Sequence, residues 1–282
     1  MTQPQSHGTP KAVPAPAAHS KAPMVPLLVA GDAAVPFTSG LRVCLWGMPF
    51  CGKTHCALTF PDPIFIHWDE SDSTIKNYPR AVPALVPTLD HWTTSLRQAV
   101  AARGLDAYVR QDPRFANYTA QTYVFDSWTK FAERVQQRHL ANPPMGRNGK
   151  PDTQAAWGAV LRELVATRDA LTDATRPDPK TGRFIHYVGT THEREVYDGD
   201  ALERINPSIP GQFKDAFFSQ FDVVMNFSIE AITGNVKYMA STQPGKHRSQ
   251  MGDRFGGGVY RKLPATIESP TFQKMCQLWG MK

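Results

Sequence analysis

Apolar positions along the chain fall into two kinds of run that alternate. The first kind is short and rich in β-branched and aromatic residues. It covers Leu41–Trp46, Pro63–His67, Gln121–Asp126, Phe184–Thr190, Asp222–Phe227 and Val236–Ala240, and each reads as a buried strand. The second kind spaces its apolar residues three and four apart, as a helix with one buried face does. That spacing predicts a short helix from Lys53 (Cys56, Ala57, Leu58 and Phe60, stopped by Pro61) and another over 90–103. It predicts a third from Trp128, with Phe131 and Val135 inward and Lys130, Glu133 and Arg134 outward, and a fourth over 154–173. Phe213, Phe217 and Phe221 sit at i, i+4 and i+8, an ordinary core stripe on a fifth helix. Residues 174–183 read as a turn. Strands separated by helices imply an α/β fold with a mostly parallel sheet, right-handed crossovers and helices on both faces.

The first 36 residues break this rhythm. They hold seven prolines (4, 10, 14, 16, 23, 26 and 36) and eight alanines with no period, so 1–36 is expected to be a disordered Pro/Ala-rich leader. Residues 37–282 then form a single domain of ordinary size. No run reaches the 18 or so apolar residues a membrane helix needs, and the leader's scattered lysines, Lys11 and Lys21, do not make a signal peptide. The four cysteines (44, 51, 56 and 276) show neither C-x-x-C pairing nor metal spacing, which fits a reducing cytoplasm. A net charge of +6 is a mild pointer to a polyanionic partner.

The chemistry concentrates where the first strand ends. Gly47-Met48-Pro49-Phe50-Cys51-Gly52-Lys53-Thr54 fits G-x-x-x-x-G-K-[ST] between a strand and a helix. Glycines let successive backbone N–H groups surround an anion, and the helix that follows points its positive end the same way. In such a loop Lys53 reaches the outer phosphates and the Thr54 hydroxyl ligates Mg²⁺. Gly47 through Thr54, with His55 after them, are therefore the expected nucleotide contacts. Cys51 is either a thiol activated by its surroundings or a variable loop position. A phosphate loop of this type needs a second carboxylate for the metal at the end of another strand, and Asp126 closes the run Thr122-Tyr123-Val124-Phe125. The competing reading makes Asp126 the N-cap of the helix that follows. Asp69 and Glu70 end the Pro63–His67 run and are candidates to orient an attacking water, or simply loop residues. His192, after the fourth strand, is placed to sense the outer phosphate or is structural.

The order of these motifs resembles a known family. GMPFCGKT, IFIHWDE, TYVFDSW, YVGTTHERE, PSIPGQFKDAFFSQFD and MGDRFGG follow one another as in the phage-encoded RecA-like ATPases of the phage nucleotide-binding, AAA-type family, some of them linked to single-strand annealing and recombination. The resemblance covers about residues 38–265. It implies a RecA-like P-loop NTPase core, ATP with Mg²⁺, a homo-oligomer, and single-stranded DNA with other phage recombination or replication proteins as partners. By position it makes Lys53 and Thr54 the phosphate and metal residues and Asp126 the second metal residue. Asp69 takes the place usually held by a glutamate, His192 the sensor place and Arg254 the arginine acting on a neighbouring subunit. Where the family carries a lysine two residues before that arginine, this chain has Gly252, so Arg248 or Lys246 is an alternative.

In RecA-like folds DNA is gripped by two loops, here 142–153 (with Arg147 and Lys150) and 193–211. The second is rich in acidic residues that repel phosphates. Two other functions share the phosphate loop: a small-molecule (nucleotide) kinase, and a nucleotide-gated assembly protein that hydrolyses little.

Overall fold

The first strand shows why the sheet is buried on both faces. In β1 (Arg42–Gly47), Val43 and Leu45 enter one apolar cluster and Cys44 and Trp46 the other, as the two-residue period of a strand demands. The computed structural model describes residues 37–69, 73–147, 149–211, 213–232, 235–248, 251–253 and 263–280, all within the unit Ala34–Lys282. The expected leader 1–36, Glu70 and Arg254 lie outside the described residues.

The remaining strands are β2 (Pro63–His67), β3 (Ala84–Leu85), β4 (Thr122–Asp126), β5 (His186–Asp198), β6 (Ala201–Pro207), β7 (Val223–Ile232), β8 (Asn235–Ser241), β9 (Gly252–Asp253) and β10 (Thr266–Glu268). Their order is β10-β8-β7-β1-β5-β4-β2-β3, with β6 beside β5 and β9 beside β7. From β7 to β3 every neighbouring pair is parallel. The helices are α1 (Lys53–Leu58), α2 (Ser73–Lys76), α3 (Leu89–His91), α4 (Arg97–Ala101), α5 (Asp106–Val109), α6 (Trp128–Ala141), α7 (Thr153–Thr175), α8 (Phe213–Phe218) and α9 (Phe272–Trp279). Residues of α6, α7 and α8 fill one face, where Trp68, Trp92, Phe125, Trp128 and Phe131 pack edge-on and tilted against one another. Residues of α1 and α9 fill the other. Among the described residues no helix is long and apolar enough to cross a membrane.

This is the mostly parallel, helix-flanked sheet expected, with three local corrections. The sheet is extended at one side by antiparallel strands: β8 turns back on β7, and β10 pairs with β8. The stretch 193–211, expected as a loop, is largely a β-hairpin. β5 continues to Asp198, reverses at Gly199 (φ +58°) and returns as β6, because Asp-Gly supplies the positive φ that a tight hairpin turn requires. The expected helix over 90–103 is interrupted by a π turn, Trp92–Leu96. The hydroxyls of Thr93 and Thr94 donate to the Asp90 carbonyl and that of Ser95 to the His91 carbonyl. They compete there with the helix's own ladder.

Two measurements follow from this packing. Phe131 is fully buried among Trp68, Trp92, Phe125 and Trp128. Truncation to alanine should lower unfolding stability by about 3–5 kcal/mol in denaturant titration. His186, at the start of β5, accepts a hydrogen bond from Leu41 N (3.0 Å) on its Nδ1, and burial drops its pKa to about 4. The folded chain thus resists a proton that the unfolded chain takes near pH 6.5. Stability should be full above that pH and decline as pH falls from there towards about 4. His186→Gln, which keeps an acceptor but cannot charge, should lessen the decline in thermal-melt series.

Candidate functional site

Parallel register brings the ends of β1, β2 and β4 level with the middle of β5 and β7. Gly47 ends β1 opposite His192 on one side and Phe227 on the other; His67 pairs with Asp126, and Phe125 with Gly189. The chain then turns through Met48–Gly52 into α1. Two glycines make the turn possible. Gly47 (φ +152°) passes so close to β7 that a Cβ there would lie 2.3 Å from the Phe227 carbonyl oxygen. Gly52 (φ +93°) would put a Cβ 2.9 Å from Cδ1 of Tyr238. Lys53 is buried, and its amine donates to the carbonyls of Gly47 (3.0 Å) and Met48 (2.6 Å).

Asp126 is 3% exposed. Its Oδ2 accepts from the Thr54 hydroxyl at 3.4 Å, its Oδ1 from the Thr190 hydroxyl at 2.5 Å, and His67 Nδ1 lies 3.5 Å from Oδ2. It does not cap α6. Ser127 is the N-cap, accepting from Lys130 N, and the Asp126–Ser127 peptide is cis. A hydroxyl and a carboxylate at this spacing are the hard oxygen donors that Mg²⁺ takes, and the turn above them leaves the close backbone approach a phosphate needs. The residues present fit both groups.

Asp69 lines the same cavity. Burial pushes its carboxyl up, but contacts with His192 (Nε2 3.7 Å away) and the Ser127 hydroxyl (2.9 Å) outweigh that and hold it below the usual range. Cys51 is buried, and burial raises its thiol despite Lys53 Nζ at 3.6 Å, so the activated-thiol reading is not supported. The cavity measures about 770 Å³ and also takes in Pro49, Phe50, His55, Lys130, Tyr238 and the turn Ser269–Thr271. That is within the size range of small-molecule sites.

Several members of this constellation carried no motif signal. Thr190 was readable only by pairing the ends of TYVFD and HYVGT, which sets it beside Asp126. Glu193, directly after His192, faces Asn226 Nδ2 at 3.4 Å and the Arg248 guanidinium at 3.5 Å. Arg248 is therefore engaged within its own chain. Lys246–Arg248 runs beside the hairpin: Ile205 N donates to the His247 carbonyl at 2.8 Å. The other basic stretch, 142–152, begins at the far end of α6, whose 14 residues carry it about 21 Å from Asp126.

A family model described as an AAA domain matches residues 39–254. The chain belongs to that family. Its ATPase-type P-loop domain takes in the loop at Gly47–Thr54, Asp126 and the strands that carry them. No curated protein sequence matches the chain. Solved structures similar to it include an ATPase of the type III secretion system of pathogenic bacteria, at 17% identity and TM-score 0.38, covering 67% of this chain and 52% of that one. The chain thus spans about half the length of that ATPase. A KaiC-like protein from Pyrococcus horikoshii OT3 is 13% identical, with TM-score 0.39 and coverage of 76% and 84%. The flagellar accessory protein FlaH from Methanocaldococcus jannaschii is 9% identical, with TM-score 0.35 and coverage of 83% and 85%.

The Asp69 contacts can be measured directly. His192→Ala should raise the Asp69 carboxyl towards its ordinary value, followed by carbon-13 NMR of labelled aspartates across an acid titration. An unmoved Asp69 would mean that Ser127 and His67 hold it without His192.

Proposed function

We propose that the chain binds ATP with Mg²⁺ and hydrolyses it. The carrying observation is the Thr54 hydroxyl 3.4 Å from the Asp126 carboxylate, beneath a glycine turn that opens on a cavity of about 770 Å³. Lys53, now bonded to two loop carbonyls, exchanges them for the outer phosphates, and the loop amides share that negative charge. Thr54 and Asp126 hold the Mg²⁺, which when bound neutralises phosphate charge. Thr190 fixes the carboxylate's rotation, leaving Oδ2 for Thr54. Asp69, kept ionised by its neighbours, orients the attacking water, with Glu70 as the adjacent candidate. His192 touches Asp69 and begins the hairpin, which suits a sensor. Arg254, or Arg248 once released from Glu193, supplies the last positive charge from a neighbouring subunit of a homo-oligomer.

We further propose single-stranded DNA as the partner, in phage recombination, annealing or replication in the host cytoplasm. The net charge of +6 and the exposed Arg147 and Lys150 in 142–152 support this reading, as does the motif order. The acidic hairpin does not contribute to it. A second reading is favoured by one observation: Asp69 is shorter than the usual glutamate and already engaged by His192 and Ser127. It makes the chain a nucleotide-gated assembly protein with little turnover.

Phosphate release, with and without single-stranded DNA or nucleosides, and particle mass separate these readings. DNA-stimulated release from an oligomer is expected. Assembly with ATP and no turnover selects the second reading, and stimulation by nucleosides selects a kinase. Lys53→Ala should cut kcat/KM by about 10²-fold or more; unchanged affinity and turnover would defeat the ATPase reading.

A further inference from the structure

Part of the cavity lining has a composition that phosphate chemistry does not use. Phe50 on the loop is 89% exposed and Tyr238 on β8 is 41% exposed, whereas most other large aromatic side chains in the described residues are buried. The Tyr238 ring lies against Gly52, the residue before the phosphate-loop lysine, close enough that only a glycine fits beneath it. Beside it runs the turn Ser269-Pro270-Thr271, which lines the same cavity as Lys53, Thr54 and Asp126.

This turn is held from three sides. Ser269 N donates to the Tyr238 carbonyl at 2.7 Å. Phe272 N donates to the Thr59 hydroxyl, at the end of α1, at 2.8 Å. Thr271 caps α9 by accepting from Lys274 N at 3.1 Å. An aromatic ring beside a turn that is fixed before any ligand arrives is what a stacked heterocycle requires.

We infer that Tyr238 and the Ser269–Thr271 turn form the nucleobase subsite, with the purine of the nucleotide stacked on the Tyr238 ring. The inference rests on the phosphate-loop reading and deepens it. Tyr238 lies within the family match and the Ser269–Thr271 turn beyond residue 254, where that match ends.

The test compares Mg-ATP with magnesium tripolyphosphate, which carries the phosphates without a base, by calorimetry on the full chain. Wild type should bind ATP more tightly than tripolyphosphate. Tyr238→Ala should weaken ATP about ten-fold or more, the size of one base–aromatic stack, and leave tripolyphosphate within about two-fold. Tyr238→Phe, which keeps the ring, should retain ATP affinity. Equal losses on both ligands, an unchanged ATP affinity, or equal wild-type affinities would overturn the subsite while leaving the phosphate loop intact. If wild type binds neither ligand, or Lys53→Ala binds both unchanged, the phosphate-loop reading falls first and the subsite with it.

Discussion

The Asp126 carboxylate is the point on which the site turns. A buried carboxylate is costly unless its oxygens are paired, and here the partners come from separate elements: Thr190 from β5, Thr54 from α1, with His67 of β2 alongside. The two strand-borne partners reach it only because β2, β4 and β5 run parallel in register, His67 level with Asp126 and Thr190 one residue past the Phe125–Gly189 pair. A one-residue slip of β4 would turn Asp126 into an apolar layer and bring a neighbour to the edge instead. Folding the sheet in register and assembling the metal-type donor set are therefore one event.

The same edge explains why the hairpin belongs to the site. β5 leaves the core at Thr191, passes His192 and Glu193, and continues outward without a break. Whatever moves His192 relative to Asp69 thus acts on a paired antiparallel ribbon, not an unpaired loop. Glu193 ties the ribbon's base to Asn226 of β7 and to Arg248, so its charge is matched locally. Towards the tip, Glu195, Asp198, Asp200 and Glu203 outnumber Arg194 and Arg204. A polyanion would meet this ribbon unfavourably, and the proposed DNA contact has to rest on 142–152 or on other basic residues.

Much of this could be read from the chain because local signals and burial agreed. The glycines, Lys53 and Thr54 are dictated by the backbone path of one turn, and strands buried on both faces write themselves as continuous apolar runs. What the sequence hid was long-range pairing. Thr190 looks like any threonine in a strand until β4 is laid beside β5. The hairpin's turn signal, Asp198-Gly199-Asp200, was present, but the density of charge around it reads as loop. Ser127 outcompetes Asp126 as helix cap because Asp126 is still within β4, one residue too early. Tyr238 carried no signal, since an aromatic residue in an edge-side strand is ordinarily core.

The C-terminal segment shows how stability and recognition share residues here. β10 extends the sheet past β8, and α9 buries Met275 and Trp279 in the cluster that also holds Cys56, Leu58 and Phe60. Full burial of such side chains stabilises by about 1.5–3 kcal/mol each, so α9 is fixed by its own packing and does not need a ligand to order it. Phe272, at its first turn, packs tilted against Phe60 with ring centres 4.7 Å apart and bonds through its N–H to Thr59. The element that closes one face of the core is thereby locked to the far end of α1, whose near end carries Lys53 and Thr54. Because α1 is only six residues long, about 9 Å, the lock and the phosphate loop are close neighbours. The cavity wall at Ser269–Thr271 is thus held twice over, by its own hydrogen bonds and by the hydrophobic packing of α9 behind them.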